Sequence, residues 1–182
     1  AGGTASDAAL VGAAAIQEWT GVPARVTVGS EFRYSPPPLD GDTLVIAVTQ
    51  SGETADTIVP TRWAREQGCP IVAVTNTVGS AITREADAVM FLQAGPEIAV
   101  AASKTFVTQV TTLIVLAATI AKVRGNMTQD AERELGAALR VLMQHEPDGP
   151  VEVPERVTVY RTIVYDDEKC LGCGTCARGC PA

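Results

Sequence analysis

Aromatic residues make up only 4% of this chain. That scarcity, set beside 46% hydrophobic residues dominated by alanine and valine, suits a tightly packed α/β protein better than an all-β one. Positive charge is short as well. The formal net charge is −7 and the pI about 4.7, which argues against nucleic acid as a partner. An anionic small ligand stays open, because backbone amides and hydroxyls bind phosphate without a net positive field. The sequence has no Walker lysine pattern and no G-x-G-x-x-G, so no nucleotide cofactor is expected in either of those modes. No signal-peptide pattern stands at its start. Phe106–Ala121 leans apolar, but Thr108, Gln109, Thr111, Thr112 and Thr119 interrupt it; it reads as a buried helix, not a membrane span. The one histidine, His145, follows a helix pattern and gives no reason to be called catalytic. Before residue 170 cysteine occurs only as Cys69, which reads as a core thiol. This is not a disulfide framework, and with the lack of a signal-peptide pattern in these residues a cytoplasmic location is expected.

What is present is an alternation of helix and strand patterns. A chain of 182 residues can bury one core and carry a small appendage. Asp7–Trp19 is helix-like, Ala24–Gly29 alternates as a short strand, and Ser35–Asp42 is a loop stiffened by three prolines. Leu44–Val48, Ile71–Val74 and Val89–Leu92 are short apolar runs of the kind a parallel sheet buries on both faces. Between them Glu53–Gln67 reads as a helix closed by Gly68, and Thr83–Ala86 as the end of a short one. Glu97–Lys122 reads as a long helix, and Gln129–His145 as another, capped by Thr128 and carrying Ala131, Leu135, Leu139 and Leu142 on one stripe. Repeated β–α units imply a doubly wound parallel sheet with right-handed crossovers. Ala1–Thr4 resembles one more strand-to-helix turn, and a strand is expected before it. Trp19 and Trp63 fall on helices and read as packing residues.

Ligands of such sheets sit at the carboxyl ends of the strands. The sequence TLVIAVTQSGETADT, Thr43–Thr57, passes from strand through a hydroxyl-rich turn into a helix N-terminus. Free N–H groups, the positive end of a helix dipole and several hydroxyls converge there, which is a place to hold a phosphate. An ordinary capped turn competes with that reading. The next turn, Asn76–Ser80, reads as a plain turn and cap. Glu97 reads as a carboxylate stabilised by a helix dipole, and Lys104 as a solvated or dimer-facing charge.

TQSGETADT, TNTVGSAITREAD, AGPEIAVAASKTF and SEFRY at Ser30–Tyr34 together resemble the first SIS (sugar isomerase) domain of the glutamine–fructose-6-phosphate aminotransferase family. The likeness runs from Gly3 to about His145. It implies a flavodoxin-like sheet, a site for fructose 6-phosphate or glucosamine 6-phosphate, and a homodimer through SIS domains. It further implies phosphate contacts from Thr49, Gln50, Ser51 and Thr54, and sugar contacts from Thr4, Val100 and the residue two beyond. Two family hydroxyls are missing: Ala5 and Ala102 stand where the family carries serine. Each lost neutral hydrogen bond is expected to weaken binding by about 0.5–1.5 kcal/mol. By the same resemblance the acid/base glutamate, ring-opening histidine and Schiff-base lysine belong to a second SIS domain, so no residue here is expected to be catalytic.

The last thirteen residues hold Cys170, Cys173, Cys176 and Cys180 as C-x2-C-x2-C-x3-C-P. This is the bacterial ferredoxin spacing for a [4Fe–4S] cluster, in which the fourth cysteine often serves a second cluster. A zinc site is the alternative, although zinc ligands more often come as two separated pairs. The organisation expected is a phosphosugar-binding domain over 1–146, a proline-rich linker over 147–156, and a partial ferredoxin-type segment over 157–182 that opens on the strand-like Val157–Val164. Three functions compete: part of an amino-sugar-forming aminotransferase-isomerase, a non-catalytic phosphosugar sensor, and an electron-transfer protein with a SIS scaffold.

Overall fold

The computed structural model describes residues 2–97 and 102–144, the side chains of 140–144 excepted. Three short parallel strands, β1 (Val45–Val48), β2 (Ile71–Thr75) and β3 (Ala88–Phe91), lie in the order β1-β2-β3. The register sets Val48 beside Val74 and Val74 beside Met90. Successive side chains point to opposite faces, and both faces are covered. Val48 and Val74 pack with Ala5 and Ala8 of α1 (Thr4–Thr20), Leu92, and Leu113 of α5 (Lys104–Val123). Ala47 and Ala73 face the other way, against Ile58 of α3 (Ala55–Glu66) and Ile82 of α4 (Ala81–Glu85). Helices on both faces of a parallel sheet make the doubly wound α/β arrangement that the alternating pattern implies.

Small residues let α1 and α5 pack closely. Ala8, Gly12 and Ala15 are buried on α1, and Leu113, Ala117 and Ala121 answer on α5. With a mean hydropathy of 1.7 over its apolar window, α5 is long and apolar enough to cross a membrane. Its buried stripe, Thr105, Gln109, Leu113, Ala117 and Ala121, instead repeats every fourth residue, as the packed face of a core helix does. Short helix α2 (Gly29–Tyr34) lies against α3, where Phe32 meets Trp63 edge to face at 5.7 Å. Trp19 packs among Ala15, Ile16 and Ala117, so both tryptophans serve packing. Gly68 closes α3 with φ +83°. Helix α6 (Gln129–Gln144) is capped by Thr128, whose Oγ1 accepts the Ala131 N–H at 3.2 Å.

Two expectations are corrected. Ala24–Gly29 is not a strand: residues 21–28 carry no ladder, and Gly29 opens α2. The local alternation suits a strand, but a strand needs a partner backbone, and a cavity of about 790 Å³ lies between this segment and β1. Helix α5 starts at Lys104, not Glu97, because the Glu97 side chain accepts the N–H groups of Ser103 and Thr105 and fixes the start there.

A Cβ on Gly29 would stand 1.9 Å from the Asp56 carbonyl oxygen, backbone against backbone. Gly29→Ala is therefore expected to destabilise the fold by about 1–3 kcal/mol, read as a lower urea midpoint; an unchanged midpoint would contradict the α2–α3 contact.

Candidate functional site

The strand-to-helix turn after β1 is held from three sides. Beneath it, the Thr49 N–H still bonds to Val74 O at 3.0 Å, and Gln50 O accepts from Asn76 N at 3.0 Å and Thr75 Oγ1 at 3.3 Å. These bonds fasten the turn to the carboxyl end of β2. At its apex Gly52 takes φ +70°, a conformation that favours glycine. Its N–H donates to Thr49 Oγ1 at 3.3 Å and its C=O accepts from Ile82 N at 3.0 Å. Any Cβ at Gly52 would stand 2.1 Å from Ser80 Oγ. From the far side Glu53 Oε1 accepts the Ala81 N–H at 2.8 Å, so this carboxylate is engaged at the start of α4.

The open side of the turn presents donors. Ser51 Oγ accepts from Glu53 N at 3.2 Å and lies 3.4 Å from Thr54 Oγ1. Thr54 takes the N-cap position of α3 with extended φ and ψ and makes no side-chain cap bond. Among the described residues the N–H groups of Thr54, Ala55 and Asp56 and the Gln50 side-chain amide have no partner. Three unpaired amides at the positive end of a twelve-residue helix, with two hydroxyls alongside, are chemically suited to an anion. Thr49 is buried at 4% exposure and supports the turn from below. Thr4 is the first residue of α1 and half-buried; its neighbour Ala5 packs on Val48, which brings Thr4 to the same edge of the sheet. Val100, Cys170, Cys173, Cys176 and Cys180 lie outside the described residues.

Neighbouring groups are structural. Asn76 receives the Ala94 N–H at 3.0 Å and donates to Gly95 O at 2.7 Å, and Ser80 Oγ donates to Thr77 O at 2.8 Å, so Asn76–Ser80 is a hydrogen-bonded turn; the expected cap is corrected, because Ser80 makes no side-chain cap bond to α4 and Glu53 accepts the Ala81 N–H instead. Glu97 Oε2 accepts from Ser103 N, Thr105 N and Thr105 Oγ1 at 3.0–3.2 Å. The Thr105 amide, with smaller help from the Thr105 hydroxyl, the Ser103 amide and Lys104, holds this carboxyl below its usual range. Cys69 is buried and its thiol donates to Asp40 O at 3.1 Å; burial, and then the Asp40 charge, raises its pKa. Two features had no sequence signal. Glu53 reaches 28 residues forward to cap α4. Gln109 is 1% exposed, with both side-chain amide atoms unpartnered among the described residues.

Comparison with known proteins bears on the fold and family of the chain. The family model for the SIS domain matches residues 1–119, and that for a 4Fe-4S binding domain matches residues 162–182. The glutamine–fructose-6-phosphate aminotransferase (isomerizing) of Streptomyces coelicolor is 48% identical over 140 residues, 77% of this chain and 22% of that protein. Its counterpart in Corynebacterium diphtheriae is 42% identical over 169 residues, 93% of this chain and 25% of that protein. The chain thus spans about a quarter or less of the curated relatives it matches. Among solved structures, the C-terminal domain of glucosamine-fructose-6-phosphate aminotransferase from Francisella tularensis superposes with a TM-score of 0.71 and 30% identity, covering 78% of this chain and 40% of that one.

Acidification tests the Glu97 cap. A depressed folded pKa contributes stability above the ordinary glutamate value, about 4.3, that is lost as pH falls through the folded value. Wild-type melting temperature should therefore fall more steeply than that of Glu97→Gln below pH 4.3; parallel curves would contradict the cap. Gly52→Ala combines a positive φ with the Ser80 overlap and should destabilise by about 1–3 kcal/mol, with Gly52→Ala/Ser80→Gly recovering only the part due to overlap.

Proposed function

This chain belongs to the SIS-domain family, and we propose that its β1–α3 turn binds the phosphate of a hexose 6-phosphate, fructose 6-phosphate or glucosamine 6-phosphate. The observation that carries this reading is the convergence of unpaired Thr54, Ala55 and Asp56 amides with the Ser51 and Thr54 hydroxyls at the carboxyl edge of the sheet. Ser51 and Thr54 donate hydroxyl hydrogens to phosphate oxygens, the Gln50 amide adds a third side-chain donor, and the α3 amides and dipole offset the negative charge. Thr49 keeps Gly52 in its left-handed conformation, so that the backbone can approach the phosphate without a Cβ. Thr4 and Val100 contact the sugar. This local cradle explains how a chain with a net charge of −7 takes an anion.

The names of the relatives support an amino-sugar setting. The chain acts as a sugar-binding unit of an aminotransferase-isomerase; a phosphosugar sensor is the second reading. Leu10 and Val11 on α1 and Val107 on α5 are exposed at 57%, 42% and 61%, and such apolar surface fits pairing with a second SIS domain. Neither nucleic acid nor membrane is a partner in this reading.

We infer from the sequence alone that residues 157–182 are a separate functional segment following a 147–156 linker. Cys170, Cys173, Cys176 and Cys180 are a thiolate set whose spacing fits a [4Fe–4S] cluster, and the family match over residues 162–182 supports it. Such a cluster, when bound, supplies one-electron transfer. Thiolate ligands need a reducing compartment, in keeping with the cytoplasm.

Calorimetric titration with fructose 6-phosphate should give saturable binding that fructose does not reproduce. Ser51→Ala should weaken it about ten- to hundred-fold, the loss of one hydrogen bond to a charged group; unchanged affinity would contradict the cradle. Anaerobic loading with iron and sulfide should give a coloured protein with iron and sulfide in equal amounts, and Cys173→Ser should abolish it. A colourless protein that retains zinc would favour the zinc reading.

A further inference from the structure

Gln109 lies in the contact between α1 and α5, which run in the same direction. Gly12 stands against Leu113, where an added Cβ would come within 2.8 Å of Leu113 Cβ. Further along both helices, Thr20 O accepts from Asn126 Nδ2 at 3.1 Å, just past the end of α5. One turn back from the Gly12–Leu113 contact, Ala8 comes level with Gln109, and one turn more brings the start of α1 level with Thr105. Ala5, Ala8, Thr105 and Gln109 are all buried.

A primary amide offers two donor hydrogens and an acceptor oxygen, and among the described residues neither Nε2 nor Oε1 of Gln109 has a partner. The helix across from it presents only methyl groups here. Ala5 and Ala8 pack in an apolar cluster with Val74, Leu92 and Leu113, joined by Phe106 and Val110. Main-chain carbonyls on this side are already engaged. Thr105 O accepts from Thr108 Oγ1 at 3.1 Å, Val74 O from Thr49 N at 3.0 Å and Thr75 O from Leu92 N at 3.0 Å. The Thr105 hydroxyl gives its one hydrogen to Glu97 Oε2 at 3.0 Å, which leaves its oxygen free to accept. Thr105 and Gln109 are four residues apart, so they share one helix face.

We propose that Gln109 binds an internal water enclosed between α1 and α5 and shared with the Thr105 hydroxyl. The water donates one hydrogen to Thr105 Oγ1, and the Gln109 amide supplies its other contact. Buried polar groups are satisfied by protein or by ordered water, and internal waters bind where polar atoms have no other partner. The result is a polar path from the Glu97 cap through Thr105 and the water to Gln109, running from the start of α5 into an otherwise apolar core. This site is separate from the β1–α3 turn and stands or falls independently of the phosphate reading.

Magnetic resonance of the full chain tests it through water cross-peaks at the Gln109 side-chain amide hydrogens. Rotating-frame peaks opposite in sign to the diagonal are expected, which hydrogen exchange cannot produce, with laboratory-frame peaks of the diagonal's own sign, the mark of a water that outlasts surface hydration. Thr105→Val keeps the side-chain shape and removes the acceptor, so these peaks should be largely lost, while Thr108→Val on the exposed side should leave them unchanged. Gln109→Leu should remove the matching water contacts at the Ala8 methyl. Absence of a long-lived water at Gln109 in the wild-type chain would overturn the proposal. So would peaks that survive Thr105→Val undiminished, or a hydrogen-bond coupling from the Gln109 amide hydrogens to a main-chain carbonyl, which would give the amide a protein partner instead.

Discussion

The carboxyl edge of this sheet depends on the close approach of Gly52 to Ser80. No side chain fits between them, and the Gly52 carbonyl receives the Ile82 amide at the start of α4. The glycine thus ties the β1–α3 turn to the turn after β2. That tie positions Ser51 and Thr54 and leaves the first amides of α3 unpaired. A residue with a Cβ at this point would separate the two turns or tilt α3, and either change would disperse the donors.

The remaining architecture holds that edge rigid. Val48 and Val74 on one face and Ala47 and Ala73 on the other anchor short strands between two helical layers. Glu53 at α4 and Glu97 at α5 cap helices that begin near the same edge. Both acids are thereby engaged with backbone amides close to a proposed anion site, where free carboxylates would repel the ligand. An acidic protein can in this way keep an electropositive spot built from dipoles and hydroxyls instead of lysines.

Local signals in the sequence carried much of this. Leu44–Val48 and Ile71–Val74 are apolar runs with no competing helical period, and Gly68 and Thr128 mark helix ends by chemistry that acts within four residues. The SGET turn was legible because strand, hydroxyls and helix start are contiguous. Features that depend on distant partners were not legible. Ala24–Gly29 has the alternation of a strand, yet a ladder requires a neighbour that its own residues cannot specify. Glu97 extends the helical pattern of Lys104–Lys122 backwards, so the seven-residue delay before α5 is invisible until its side chain is seen to cap Ser103 and Thr105. The bond from Glu53 to Ala81 and the unpartnered burial of Gln109 are likewise tertiary facts. Val100 and the four clustered cysteines lie outside the described residues, and their roles rest on motif chemistry and family likeness.

Backbone amides at the start of α3 are proposed to hold a sugar phosphate, and the other sugar-binding assignments lean on that contact. Amide chemical-shift mapping during titration with fructose 6-phosphate tests it most directly, because it reads those N–H groups one by one. The largest saturable shifts are expected at Ser51, Gly52, Thr54, Ala55 and Asp56, with inorganic phosphate reproducing them in part. Saturable shifts that leave these five amides unmoved would contradict the phosphate cradle.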